Sequence, residues 1–148
     1  MSNPFLQLQE RLVALLRARP YFTGLPADAT LTEQVGDIES KIANDLLPLG
    51  FGFAVTTAKG DGSSSLGVIR TTETLCVAFI HNPTLDPGHA VLDALWEGMQ
   101  AIVGQPIFDG APVCSESDVW RFAGHERRLD APPELHVHHL YVTAAPTL

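Results

Sequence analysis

The sequence predicts an α+β fold, a mainly antiparallel or mixed sheet of four to five strands covered by about three helices. Three observations carry this. Leu75, Cys76, Val77, Ala78, Phe79 and Ile80 form an unbroken apolar run, too short to span a membrane and suited to a strand buried on both faces. Val91, Leu92, Leu95, Trp96, Met99, Ile102 and Val103 then repeat at the spacing of one helical face. After Gly50 the apolar period changes to two, with Phe51, Phe53 and Val55 on one side of a strand. At 148 residues, 45% hydrophobic and 18% charged, residues 1–148 fit one domain with one core.

The remaining elements follow in chain order. Ser2, Asn3 and Pro4 open a first helix whose stripe is Phe5, Leu8, Leu12, Leu15 and Leu16; Arg17 and Arg19 sit in its last turn and Pro20 stops it. Gly24, Pro26, Ala27 and Asp28 mark a loop. Thr30 and Glu33 have capping-box spacing, so a second helix is expected through Leu31, Val35, Ile38, Ile42 and Leu46, ending at Pro48. Residues 58–65, rich in Gly and Ser, read as a mobile loop or hairpin tip, and Leu66, Val68 and Arg70 as a return strand. The central strand is placed at residues 74–80, with Asp86 as N-cap and Pro87 as first residue of the helix over residues 87–103. Val77, Phe79, Leu92, Leu95 and Met99 are expected to be buried. Residues 105–117 should be irregular, Val119 to Phe122 a strand, residues 124–133 a polar connection and residues 135–143 the last strand. The expected order is helix, helix, strand, strand, strand, helix, strand, strand.

Charge and cysteine use narrow the function classes. Nine Lys and Arg against seventeen Asp and Glu give a net charge of −8, which opposes nucleic-acid or anionic-membrane binding through a general basic field. The N-terminal residues lack a signal-peptide pattern and no apolar run reaches the roughly 20 residues of a spanning helix, so a cytoplasmic location is expected. Cys76 and Cys114 form neither a disulfide framework nor a zinc motif.

Several groupings have residue types that could carry chemistry. His136 and His138 share one face of the last strand, where two imidazoles could hold a metal, while His139 faces the other way with Leu135, Val137 and Tyr141. A third ligand has no fixed spacing to them; His81, His89 and His125 could join only through the fold. The alternating histidine triad of nucleotide hydrolases fails because Leu140 stands at its third position. Gly60-Asp61-Gly62-Ser63 lacks the Gly-Lys-Ser/Thr ending of a phosphate loop, and Ser115 and Ser117 lack a nucleophile elbow. Arg127-Arg128 is too short for a nucleic-acid patch. Trp96 and Trp120 are read as core or interface anchors. No catalytic, cofactor-binding or metal-ligating residue is assigned, and no cofactor is expected.

Three segments, residues 38–51, residues 75–83 and the helix from His89 to Val103, with the last strand after them, together resemble the small minor tail proteins of tailed bacteriophages and prophages, in the tail-terminator or tail-completion group. The resemblance implies a non-enzymatic α+β subunit of a cyclic homo-oligomer, often a hexamer, at the end of a tail tube. Its partners would be copies of itself, the tail tube and head-completion proteins, and it would reside in the bacterial cytoplasm during assembly and then in the virion tail. Candidate assembly contacts are Lys59, Asp61 and Ser63 in the 58–65 segment, and Phe108 and Asp109 in the 105–117 connection, since long irregular segments in a small domain are often functional. The alternative is a small metal-dependent hydrolase using the His136 and His138 face; a ligand-binding or regulatory domain has no positive feature in its favour.

Overall fold

A computed structural model describes residues 3–147; Met1, Ser2 and Leu148 lie outside the described residues, and with them the Ser2 part of the expected helix start. Helix α1 (Pro4–Arg17) begins where Asn3 accepts the amide of Phe5 and Pro4 stands in the first turn. Arg19 lies beyond it, because Pro20 does not simply end the helix but opens a further turn, α2 (Pro20–Thr23), with Arg19 as its N-cap. Leu8, Leu12 and Leu16 are buried, whereas Phe5 at the helix start is 42% exposed.

The expected second helix is corrected. Thr30–Thr32 is instead strand β1, paired in parallel with Phe53, Ala54 and Val55, and Glu33–Val35 is one 3-10 turn. The Glu33 carboxylate does not reach back to close a capping box on Thr30; it accepts the amide of Thr57 at 2.7 Å and the side-chain amide of Gln9 at 2.9 Å. Helix starts again at α3 (Ile38–Lys41), capped by Asp37 through the amide of Ser40, and widens into a π turn over Ile42–Leu46 before Pro48 and the left-handed Gly50 end it.

Strand β2 (Phe51–Ser65) and strand β3 (Val68–His81) form one long hairpin. Of the two readings of residues 58–65 the hairpin holds and the mobile loop is corrected to strand: the glycines and serines are exposed but pair with residues 68–74. Strand β4 (Arg121–Arg127) also runs further than expected into the polar connection, and β5 (His136–Ala144) closes the sheet. The order is β1-β2-β3-β5-β4, with β1 parallel to β2 and every other neighbour antiparallel. Together with four helices this makes the described residues an α+β fold with a five-stranded mixed sheet, and β3 lies at its centre as expected.

Helix α4 (Val91–Ile102) starts four residues later than the Asp86-Pro87 signal suggested. Asp86 spends its carboxylate on a local turn, accepting the amide of Gly88 at 2.8 Å and pairing with the His89 ring at 2.7 Å. The hydroxyl of Tyr21 instead meets the helix start, accepting from the amide of Ala90 and donating to its carbonyl. α1, α2 and α4 cover one face of the sheet over Phe53, Val55, Val77, Phe79, Leu140 and Val142. Ile38, Ile42 and Leu46 cover the other face over Leu31, Ala54 and Ile80. Leu95 is buried and Met99 half-buried, but the expected burial of Leu92 is corrected. It is 66% exposed, because the apolar arc of α4 is wider than the surface the sheet offers.

Candidate assembly surface

The distal half of the β2–β3 hairpin is a two-stranded ribbon built from exposed residues. Its turn consists of Leu66 and Gly67, both at positive φ (50° and 80°), as a type I′ turn requires. Leu66 is fully exposed at the tip, with Val68 and Ile69 41% and 51% exposed behind it. An apolar tip on a ribbon with little core of its own has no folding benefit where it stands, because it buries nothing there. The glycines have a packing reason: the Glu73 carboxylate, buried and accepting from Thr71 Oγ1 at 2.7 Å, lies against Gly60 where a Cβ would stand. Gly62 is backed in the same way by the carbonyl of Arg70. The Gly60-Asp61-Gly62-Ser63 sequence thus serves strand packing.

The five candidate contact residues fall into two neighbouring groups. Lys59, Asp61 and Ser63 lie along β2 of the ribbon, with Lys59 and Asp61 paired at 3.3 Å. Phe108 is half-buried in the irregular connection after α4, and the exposed Asp109 lies 3.9 Å from Arg11. An open cleft of about 430 Å³ has Asp61, Ser63 and Arg70 of the ribbon on one wall, with Ser117 and Pro146 on the other. Phe108 lines an adjacent cleft of about 230 Å³ that also reaches Ser117 and Pro146. On the ribbon's other side, a cleft of about 540 Å³ opens between Phe5, Gly60, Ile69 and Glu73. The fold therefore sets the two groups around adjacent clefts that share Ser117 and Pro146.

The histidines are dispersed. His136 and His138 do share a face, but His138 is buried and pairs with His125 of β4, Nε2 to Nδ1, at 2.9 Å. His136 lies opposite His81, whose Nε2 meets the Asp86 carbonyl at 2.6 Å. Burial, and then the charges of His125, Arg127 and His139, push the His138 pKa below its ordinary value. Burial, and then Arg128, does the same for His139. Among the described residues no three His, Cys, Asp or Glu side chains converge as a metal site would require. Both cysteines are free, Cys114 exposed and Cys76 buried with its thiol pushed up to about 12 by burial. No helix among the described residues is long and apolar enough to cross a membrane.

The two tryptophans separate. Trp120 is fully buried, a core anchor, while Trp96 is 59% exposed on α4. Sequence reasoning placed both on apolar patterns, and periodicity alone could not tell which flank of a wide helical arc the sheet would leave open. It also missed the apolar tip at Leu66, although a two-residue Leu-Gly turn between alternating segments was a signal available for it.

No protein-family model matches the chain, and no curated protein matches it. Among solved structures, the fold is similar to a chain of the "Virion of native gene transfer agent (GTA) particle", with a TM-score of 0.60 and 17% sequence identity, over 99% of this chain and 100% of that one.

Proposed function

We propose that this chain is a structural protein of a phage-like particle, a subunit of a ring that closes the end of a tail tube in the manner of a tail terminator or tail-completion protein. Its work is contact with copies of itself and with neighbouring tail and head-completion proteins, not catalysis. The observation that carries the reading is the exposed β2–β3 ribbon with its apolar Leu66 tip, flanked by open clefts. Its support is that a fold of this kind, end to end, also occurs in a virion chain. Exposed strands and apolar tips are aggregation hazards unless a partner covers them. In this reading Lys59, Asp61 and Ser63 lie at one contact, and Phe108 and Asp109 at another.

The test shortens the ribbon symmetrically. Deleting residues 64–65 and 68–69 removes two facing pairs and keeps the Leu66-Gly67 turn, with Ser63 and Arg70 as its new flanking pair and the Thr71–Glu73 bond intact. The shortened chain should melt like the full one yet fail to enter particles when it replaces the wild-type gene in the strain that encodes it. If it supports intact, correctly joined tails, the ribbon is not an assembly contact. If a strain lacking the chain altogether still makes intact particles, the structural role itself is wrong.

A further inference from the structure

The two ends of the sheet differ in chemistry. At one end, β4 carries Arg121 and Arg127, both exposed and neither in an ion pair among the described residues, although the chain as a whole is acidic. Arg128 beside them is engaged by Asp130 at 2.9 Å and Glu126 at 4.0 Å. Helix α4 adds an apolar stripe to this end. The helix packs over β5 and β3 and its Glu97 faces Arg19 beside α2 at 2.7 Å, so Leu92, Trp96 and Val103 lie on the outer flank turned away from α2. These three are 66%, 59% and 40% exposed. A tryptophan centred in an exposed apolar stripe has the composition of an interface core, and of the two arginines Arg127, opposite His138, lies on the α4 face of the sheet while Arg121, opposite Thr143, lies on the other.

At the other end, β1 and the turns around it carry Asp28, Glu33, Asp37, Glu39 and Asp45. The cations there are already engaged: Lys41 pairs with Asp45 at 3.0 Å, and Arg17 donates to Thr30 Oγ1 and the Leu25 carbonyl. Val35 and Leu49 are exposed among these acids, 40% and 43% respectively. β1 is three residues long, which leaves the β2 edge beyond it open.

We propose that the β4 end of one copy, with Arg121, Arg127 and the Leu92–Trp96 stripe, docks on the acidic β1 end of a second copy. This rests on the ring reading above and names the subunit contact within it. The occupant is another copy because both complementary surfaces belong to the same chain and sit at opposite ends of one sheet. Such a contact is heterologous, and where its repeated rotation closes it makes a ring. Strand direction agrees. β4 runs antiparallel to β1 through the ladder of the sheet, so copies set side by side in one orientation place an antiparallel pair at the seam.

The test uses the full chain with Cys114→Ser as background. Arg127→Cys and Glu39→Cys, mixed and oxidised, should cross-link to one another, and neither should cross-link to itself. The double variant should give a ladder that ends at one closed species. Arg121→Glu with Arg127→Glu should weaken self-association by more than about tenfold, and Asp28→Arg with Glu39→Arg on the partner should restore it. Cross-linking of Arg127→Cys to itself would mean a two-fold contact and overturn the proposal. So would assembly that the charge reversal leaves unchanged but ribbon shortening abolishes, and that outcome would leave the ring reading standing. Loss of nucleic-acid binding, with assembly unchanged, would assign the arginines to phosphate instead. A wild-type chain that neither self-associates at high concentration nor cross-links at any position overturns the contact and the ring together.

Discussion

Gln9 and Glu33 hold each other reciprocally. The Gln9 side-chain carbonyl accepts the backbone amide of Glu33 at 2.9 Å, while its amide group donates to the Glu33 carboxylate at 2.9 Å and to Thr57 Oγ1 at 3.0 Å. Gln9 is 2% exposed, while Glu33 is exposed and Thr57 half-buried, so a buried side chain fastens α1 to the turn after β1 and to β2. Gln9→Ala should cost about 0.5–1.5 kcal/mol, the net worth of a typical hydrogen bond, since the exposed Glu33 and half-buried Thr57 it leaves behind can turn to solvent. A denaturation midpoint unchanged from wild type would show that the bonds are replaced by solvent.

Leu95 and Leu92 lie three residues apart on α4, one buried and one 66% exposed. Leu95→Ala should therefore cost about 2–5 kcal/mol, and Leu92→Ala within about 0.5 kcal/mol of nothing. Chemical denaturation separates the two. Equal losses would mean that the exposed flank of α4 is packed in solution.

The contrast shows what was legible in the sequence. Strong runs with one reading, Leu75 to Ile80 and the Leu8, Leu12 and Leu16 stripe, fold as their periodicity says. Two of the failures share a cause, in that a long-range partner displaced a local signal. Thr30 and Glu33 have the spacing of a capping box, but Gln9 and the Thr57 amide take the Glu33 carboxylate and β2 takes the backbone of Thr30–Thr32. Asp86-Pro87 looks like a helix start, yet the hydroxyl beside the start of α4 comes from Tyr21. Residues 58–65 bury too little to predict strand, and they pair because the turn at Leu66 and Gly67 continues the ladder of the hairpin. At the surface only the segments could be named, since charge at opposite ends of a sheet is invisible before strand order is known.

Gly98 sits inside α4 with Phe79 beneath it; a Cβ there would come within 2.7 Å of the Phe79 ring. Alanine would gain up to about 1 kcal/mol of helix propensity, but overpacking a filled core costs about 1–3 kcal/mol. Gly98→Ala should thus be neutral to destabilising by about 2 kcal/mol in thermal or chemical melts. A clear stabilisation would show that α4 can lift off the sheet freely.

Stability should also depend on pH through His138 and His139. Their folded pKa values lie below the ordinary one, so the folded chain binds fewer protons than the unfolded chain once pH falls toward the ordinary histidine value. Stability is fully present above about pH 7 and declines as pH falls through the unfolded pKa of roughly 6.5, levelling off below the folded values. The melting temperature should drop from pH 8 to pH 5, and His138→Gln with His139→Gln should flatten that slope. An equal slope in the double variant would assign the acid sensitivity elsewhere.

The β2–β3 hairpin joins two very different environments within one pair of strands. At one end, Phe51, Phe53, Val77 and Phe79 are sealed into the core, and their amides should exchange with deuterium only when the whole chain unfolds. Toward Leu66 the same ladder is bonded mainly to itself, and its amides should exchange through local openings that leave the core intact. A single hairpin would then show a graded protection profile from its root to its tip. The tip can bend or re-pair on meeting a neighbour without any loss of order at the root, so the chain can adapt to its surroundings while its fold stays closed.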